Sequence, residues 1–514
     1  MIRDLEQSRP EPGSVAGICI IGAGAAGIVL AVELARRGQN VLLLEGGGAE
    51  IEAPSQNPYL SELTGLSHRG IHTGRFRAKG GTTTKWGGQI LELDANDFEQ
   101  RPGIEGSGWP FPKSELTQHY ERALELEGLA EVTRKDDEVW HEIGQRAPQF
   151  SHLEPYFSRW CPEPNFALLH RRAIEEHPGI TLWLHANAVE PHLEGEAMRG
   201  LRCCTLTGAE AIFRANRFIF CLGGIESSRF FLQPAFAALP GNRSEVIGKH
   251  FQDHIDCNVA VVEPLSAKRF HQTFDNVFSR GFKYHPKLRL APTAQAEHST
   301  LNVAATMAFV SEADEALAQL KTAAKSLLRG RFREITAADA GSAARHLPLL
   351  AKQTWRYGVR HRAYNPPDAR IFLRVHCEQE PTSRSNISLS SERDAIGLLR
   401  TRLDWQISER ELATIRQYVQ IAMRSLAGMA RILPDQDLLS GNPDFLSRCD
   451  DSNHHMGGMR ISSSQTTGVV DPNLRLYGLS NTFVCSSAVF PTSGFSNPTH
   501  TLLALAVRLS EHLS

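Results

Sequence analysis

No run of this sequence is long and uncharged enough to cross a bilayer, so an integral membrane protein is not expected. Zinc-type spacing is also missing. The nine cysteines are scattered, only Cys203 and Cys204 are adjacent, and none forms a CxxC or a Cys/His cluster. The expectation is reduced thiols in a cytoplasmic protein without a metal centre. Net charge is nearly absent: a formal −2 over 514 residues argues against nucleic acid or an anionic membrane as the main partner. No tandem repeat is visible. Residues 1–16 are polar and proline-bearing, without the apolar core or cleavage site of a secretory signal. What remains is an ordinary globular composition, 41% hydrophobic and 22% charged, in a chain long enough for two domains.

The sequence is organised around residues 17–48. Gly17-Ile18-Cys19-Ile20-Ile21 reads as a buried strand and runs into Gly22-Ala23-Gly24-Ala25-Ala26-Gly27, a GxGxxG. Helix-forming residues follow from Ile28 to Arg37, with Gly38 at the C-terminal cap. Val41-Leu42-Leu43-Leu44 is a second strand, and Glu45 ends it about 20 residues beyond the glycine turn. Gly22 permits the tight turn, Gly24 lets backbone approach a pyrophosphate, and Gly27 lets helix pack on strand. The helix start attracts the phosphates, and the acid at 45 meets a ribose hydroxyl. Strand, glycines, helix, strand and acid in this order mark a dinucleotide site. NAD and FAD share the fingerprint, so the motif alone does not choose between them.

A loop rich in Pro, Ser, Asn and His reaches to about Arg75, followed by Arg77-Ala78-Lys79-Gly80-Gly81-Thr82-Thr83-Thr84-Lys85-Trp86-Gly87-Gly88. Glycine pairs bracketing three hydroxyls and an indole can bring backbone N–H groups against a flat, polar cofactor. A helix follows with Leu116, Tyr120, Ala123 and Leu124 on one face, ended by Gly128. Residues 130–180 carry no clear pattern. A strand-like patch covers 181–189, and the apolar run 218–222 before Gly223-Gly224 makes a second strand–glycine–helix unit. Strand-like stretches at 259–262 and 301–310 lead to a helical stretch, 311–358, apolar along one side and rich in Lys and Arg on the other. It is expected to be an insertion packed on its own domain with the basic face solvated. Strands at 370–376 and 386–389 precede a long helix opened by a Ser408/Glu411 capping box.

Near the C-terminus, Asn453-His454-His455-Met456-Gly457-Gly458 lies in a Gly/Ser-rich setting. Asn497-Pro498-Thr499-His500-Thr501 begins the last helix, with an N-cap residue type followed by a first-turn type. Taken with the GxGxxG, Glu45, the Gly80-Gly81-Thr82-Thr83 loop, Ile247 through Gln252-Asp253-His254, Val469-Val470-Asp471 and Phe490-Pro491, the set resembles the glucose–methanol–choline (GMC) family of FAD-dependent oxidoreductases. The motifs stand in the family's order along nearly the whole chain and are sparse at 130–180 and 310–365.

The resemblance implies an α/β fold. It pairs a Rossmann-type FAD-binding domain built from discontinuous segments with an α+β substrate domain containing a mixed or antiparallel sheet and a helical insertion. The implied FAD-binding pieces are 1–125, 181–256 and 446–514, with 126–180 a connecting or lid segment. The substrate domain would be 257–445, with the insertion at 311–365. Gly22, Gly24, Ala25, Gly27, Glu45 and Gly46 would hold the ADP half of FAD together with Arg77, and Val189 would meet the adenine through its backbone. Gly80, Gly81, Thr82 and Thr83, then Trp86, Gly87 and Gly88, would lie along the ribityl chain and isoalloxazine. Asn453, Ser486, Ser487, Pro498 and Thr499 would complete the cofactor walls. His454 matches the family's catalytic histidine, and Asn497 matches its partner.

Three positions depart from the family pattern. Trp86 stands where many members carry Asn. Lys85 stands where the pyranose-oxidase branch carries a histidine bonded to flavin, so non-covalent FAD is expected. Ser486 replaces an aspartate, as in branches resembling bacterial sugar dehydrogenase subunits.

Oxidising an alcohol requires loss of a hydroxyl proton and a hydride from one carbon. A neutral imidazole takes the proton, FAD takes the hydride, and the Asn497 amide can orient the hydroxyl. The start of the last helix would favour negative charge on the reduced ring. His254, His455 and His500 read as bracing or packing residues. The expected activity is oxidation of a CH–OH group of a sugar, glycoside or cyclitol, with oxygen, a quinone or a redox protein accepting the electrons. Its rivals are a redox-silent lyase on the same scaffold and a non-catalytic flavin- or partner-binding subunit. An NAD dehydrogenase would leave the C-terminal His/Asn segment without a purpose.

Overall fold

Val15–Ile21 is buried at its C-terminal half on both faces, the condition of a central parallel strand. In a computed structural model of the chain, which describes residues 1–236, 245–311, 355–356, 359–366 and 369–514, it lies between Val41–Leu44 and Glu210–Phe220, parallel to both. Beyond Val41–Leu44 come Ile180–Leu184 and Ile2–Asp4, also parallel. On the other side Glu210–Phe220 serves two partners. Its first half pairs antiparallel with Ala197–Cys204, which carries Asn187–Glu194, and its second half pairs in parallel with Thr482–Val484. This eight-stranded sheet therefore joins segments from both ends and the middle of the chain. The helix Ala25–Arg36 packs on the last helix, Pro498–His512, which in turn packs on Thr117–Leu126.

A second sheet of nine strands is antiparallel throughout. Its main order is Ala430–Pro434, Ile255–Pro264, Arg370–Cys377, Val303–Val310, Phe282–Leu290, Leu153–Trp160 and Gln89–Ile90. The helix Glu409–Ser425 covers one face through Ile415, Tyr418, Val419 and Ala422. The capping box expected at its start is formed, with Ser408 and Glu411 each accepting from the other's backbone N–H. The opposite face, carrying Trp160 and His376, looks toward the glycine turns of the first sheet.

Several local expectations change. The 181–189 patch is two strands, Ile180–Leu184 and Asn187–Glu194, because His185 takes a φ of 53° and turns the chain between them. The patternless stretch 130–180 contains Leu153–Trp160, an interior strand of the second sheet. Most of the basic insertion expected at 311–365 lies outside the described residues. No helix among the described residues is long and apolar enough to cross a membrane.

Candidate active site

The C-terminal ends of the three central parallel strands open onto a cavity of about 560 Å³. Parallel α/β sheets hold ligands at this position. Gly22, Gly24, Ala25, Glu45, Gly46 and Arg77 line one end. Gly22 needs to be glycine: its φ is 103°, and a Cβ there would lie 2.5 Å from the Cys221 carbonyl oxygen. At Gly24 a Cβ would meet nothing within 4 Å, so the backbone faces open space. The Glu45 carboxylate accepts from Ala23 N at 3.0 Å and Gly47 N at 2.9 Å, which fixes the turn, while burial raises its pKa.

Along the middle, Gly81, Thr82, Thr83, Trp86 and Gly87 form a wall, and Gly81 sits against the glycine turn. Gly27, Gly80, Gly88 and Val189 do not line the cavity. Gly27 packs the helix on Gly22 and Cys221, Gly80 supplies a left-handed cap, and Gly88 faces Cys161 and Pro164. The Val189 side chain is in the core of the first sheet, and Ala186 and Ala188 take the wall position instead.

Tyr59, Arg75 and Glu226 also line this end, and the sequence reading did not single them out. The Arg75 guanidinium lies 4.2 Å from the Tyr59 ring centroid and Arg77 lies at 5.2 Å. Glu226 is held by Arg229 at 2.7 Å. The only sequence signal was a pair of arginines two residues apart in a loop.

At the other end stand Asn453, His454, Ser486, Ser487, Asn497 and, at the head of the last helix, Pro498 and Thr499. Asn497 has the expected N-cap position, yet its side chain makes no capping bond. Its Nδ2 lies 2.9 Å from His454 Nε2, and its Oδ1 is buried without a partner. The His454 backbone is pinned by Asp253, whose Oδ1 accepts from the N–H groups of His254 at 2.7 Å, His454 at 3.0 Å and Ser452 at 3.2 Å. Asp253 Oδ2 accepts from His68 Nε2 at 3.1 Å. His455 packs near His68, and His500 pairs with Glu127 at 2.7 Å, both away from this contact.

His254, expected to brace a junction, does more. Its Nε2 faces the Ser493 carbonyl at 3.3 Å, an acceptor only, so Nε2 carries the hydrogen. Burial lowers the His254 pKa, leaving the ring neutral and its Nδ1 bare. That nitrogen lies 2.8 Å from His454 Nδ1, which must then carry the shared hydrogen. His454 Nε2 is therefore the bare nitrogen, on the Asn497 side. Burial, reinforced by His254, His376 and Lys287, holds the His454 pKa well below the ordinary histidine value. His376 completes the group, its ring centroid 5.6 Å from that of His454.

These residues fit a flavin dinucleotide. The helices beginning at Ala25, Gly224 and Pro498 all start on the cavity without a side-chain cap, leaving N–H groups for anionic atoms. Arg77 Nε, His455 Nε2 and Asn497 Oδ1 are buried polar atoms without partners beside or within the cavity walls.

Two family models match the chain: FAD dependent oxidoreductase over residues 17–222, and GMC oxidoreductase over residues 381–506. A C-glycoside 3-oxidase of Microbacterium trichothecenolyticum is 27% identical over 150 residues, 29% of this chain and 28% of that relative's length. A 2-methyl-1,2-propanediol dehydrogenase of Mycolicibacterium austroafricanum is 21% identical over 565 aligned positions, covering 97% of this chain and 95% of that one. Among solved structures, pyridoxine 4-oxidase from Mesorbium loti superposes with a TM-score of 0.57 at 16% identity, covering 97% of this chain and 99% of that one. A fungal aryl-alcohol oxidase gives 0.57 at 15% identity, covering 97% and 98%. At these identities the structural likenesses speak for the fold.

Proposed function

This chain belongs to the GMC family of FAD-dependent oxidoreductases, and we propose that it oxidises a CH–OH group of a sugar, glycoside or cyclitol, with His454 as general base and Asn497 as its partner. The observation that carries this reading is the 2.9 Å contact between His454 Nε2 and Asn497 Nδ2 on the cavity wall. A bare, neutral imidazole nitrogen there is a proton acceptor. A substrate hydroxyl entering between the two side chains gives its proton to Nε2 while its oxygen accepts from the Asn497 amide. Bound FAD supplies the hydride acceptor. The uncapped start of Pro498–His512 places partial positive charge at the same end, where it stabilises negative charge on whatever lies against it.

The pairings made by the two curated relatives' names, a glycoside oxidase and a diol dehydrogenase, favour a polyhydroxylated substrate over a simple alkanol. Lys85 lines the cavity where a covalently linking branch of the family carries histidine, which supports FAD held without a covalent bond. Anaerobic mixing with a panel of sugars, glycosides and cyclitols should bleach the flavin band of the purified protein. A panel in which nothing bleaches it would overturn the reading, and release of FAD on denaturation tests the mode of attachment.

A further inference from the structure

The face of the second sheet that looks onto His454 is polar, and nearly every group on it is answered by a neighbour. Gln89 Nε2 donates to Ser158 Oγ at 2.7 Å. His285 bonds Thr306. Arg374 grips both oxygens of Asp256 at 2.6 and 2.9 Å. Among the described residues three are left over, Trp160 Nε1, Lys287 and the Tyr156 hydroxyl, and the last two stand opposite one another. Lys287 is the cross-strand partner of Tyr156, so both side chains rise from the same face. The Tyr156 hydroxyl is buried without a hydrogen-bond partner. Lys287 has no hydrogen bond and no carboxylate within ion-pair distance among the described residues.

Among the described residues the surroundings offer Lys287 no free counter-charge. Asp256 is the carboxylate that it feels, and that group is already taken by Arg374. Its histidine neighbours His285 and His376 are kept neutral by burial, and Lys287 itself lowers both further. Burial pushes the Lys287 ammonium down to about 8. A half-buried ammonium without a free counter-charge among the described residues is a position that an incoming anion would stabilise. The influence of Lys287 also reaches His454. Lys287 and His376 rise from the same face of the second sheet, and the His376 ring centroid lies 5.6 Å from that of His454, so a molecule whose hydroxyl sits on the base can extend along this face toward the ammonium.

We propose that Lys287, with the Tyr156 hydroxyl beside it, anchors a carboxylate on the substrate, so that the alcohol oxidised at His454 belongs to a sugar acid rather than a neutral sugar. This rests on the alcohol-oxidising reading above and narrows it. One ammonium and one hydroxyl match the two oxygens of a carboxylate, whereas a phosphate ester would leave a third oxygen and a second charge unanswered.

The test compares matched alcohols: a hexose, the corresponding uronate and the corresponding hexose phosphate. The rate of anaerobic flavin bleaching is measured for each with the FAD-loaded protein. The uronate should lead through a lower KM, by about 10- to 150-fold in kcat/KM, the worth of a hydrogen-bonded charge pair. In Lys287→Gln the ratio of uronate to hexose should fall toward one, and in Lys287→Arg much of it should return. Retention of the flavin absorbance establishes that each variant has folded. Succinate, an acid without an alcohol, should compete in the parent and lose its hold on Lys287→Gln. A hexose that matches the uronate overturns the anchor and leaves the alcohol-oxidising reading standing. A hexose phosphate that outruns the uronate overturns the carboxylate. If no alcohol bleaches the flavin, both readings fall.

Discussion

Replacing His254 by leucine isolates the hydrogen-bond arrangement around the proposed base. In the parent protein, His454 Nδ1 gives its hydrogen to His254 Nδ1 at 2.8 Å, and His254 is itself fixed by the Ser493 carbonyl at 3.3 Å. Leucine fills the space and accepts nothing. The His454 Nδ1–H is then buried without a partner, at a cost of about 1–3 kcal/mol. The ring can relieve this by moving its hydrogen to Nε2, which is the nitrogen needed to take the substrate proton. By either route the rate of flavin reduction should fall by about 5- to 150-fold. Glutamine at 254 offers a carboxamide oxygen to the same Nδ1–H and should recover most of the loss. Stopped-flow bleaching under anaerobic conditions measures both variants. His254 does not line the cavity, so the bound flavin should be unaffected and serves as the check on folding. Leucine reacting as fast as the parent, or glutamine no faster than leucine, would refute the assignment of the bare nitrogen.

His454→Ala should slow flavin reduction by about 10²- to 10⁴-fold while the protein stays yellow, because the residue removes a proton and holds little of the cofactor. The base works only when neutral and its pKa is held well below 6.5, so kcat/KM should stay flat as pH falls through 6.5 and drop only below it; an inflection at or above 6.5 would contradict the burial argument. The same shifts bear on stability. His254, His376 and His454 all have folded pKa values depressed from 6.5, so the unfolded chain binds more protons as pH falls below that value. Stability present above pH 6.5 is thus lost as pH falls through the folded values, and Tm measured from about pH 8 to pH 5 should decline at the acid end. Gly81→Ala places a Cβ 2.9 Å from Gly24 Cα at a φ of 53°, so it should pry the threonine loop from the glycine turn and weaken FAD retention on gel filtration.

What could be read from the sequence, and what could not, follows from how many residue types a position tolerates. Gly22 was legible because a positive φ and a close backbone approach leave glycine alone, and Gly24 and Glu45 because they belong to the same local strand–turn–helix–strand unit. His454 and Asn497 lie 43 residues apart, and only a family resemblance pairs them; no local pattern says that they touch. Asp253 was visible as one letter of a Gln-Asp-His run, yet its work is to collect three backbone N–H groups from two separate segments, which no spacing rule encodes. The strand Leu153–Trp160 escaped for a different reason. Alternation marks a strand when one face meets core and the other meets water. Here the second face is covered by protein, with Tyr156 packed on Phe495 and Trp160 on the cavity wall, and it carries Tyr156, Ser158 and Trp160, aromatic and polar together, opposite His285 and Lys287. Phe282–Leu290 does alternate, but its Lys, His and Arg lie half-buried on the face shared with Tyr156 and Ser158 rather than open to water. Sequence rules sort residues by affinity for water, and an inner face such as this one is a place where polar residues are kept from water. Polar residues on such an inner face are for that reason the ones that a periodicity rule places at the surface.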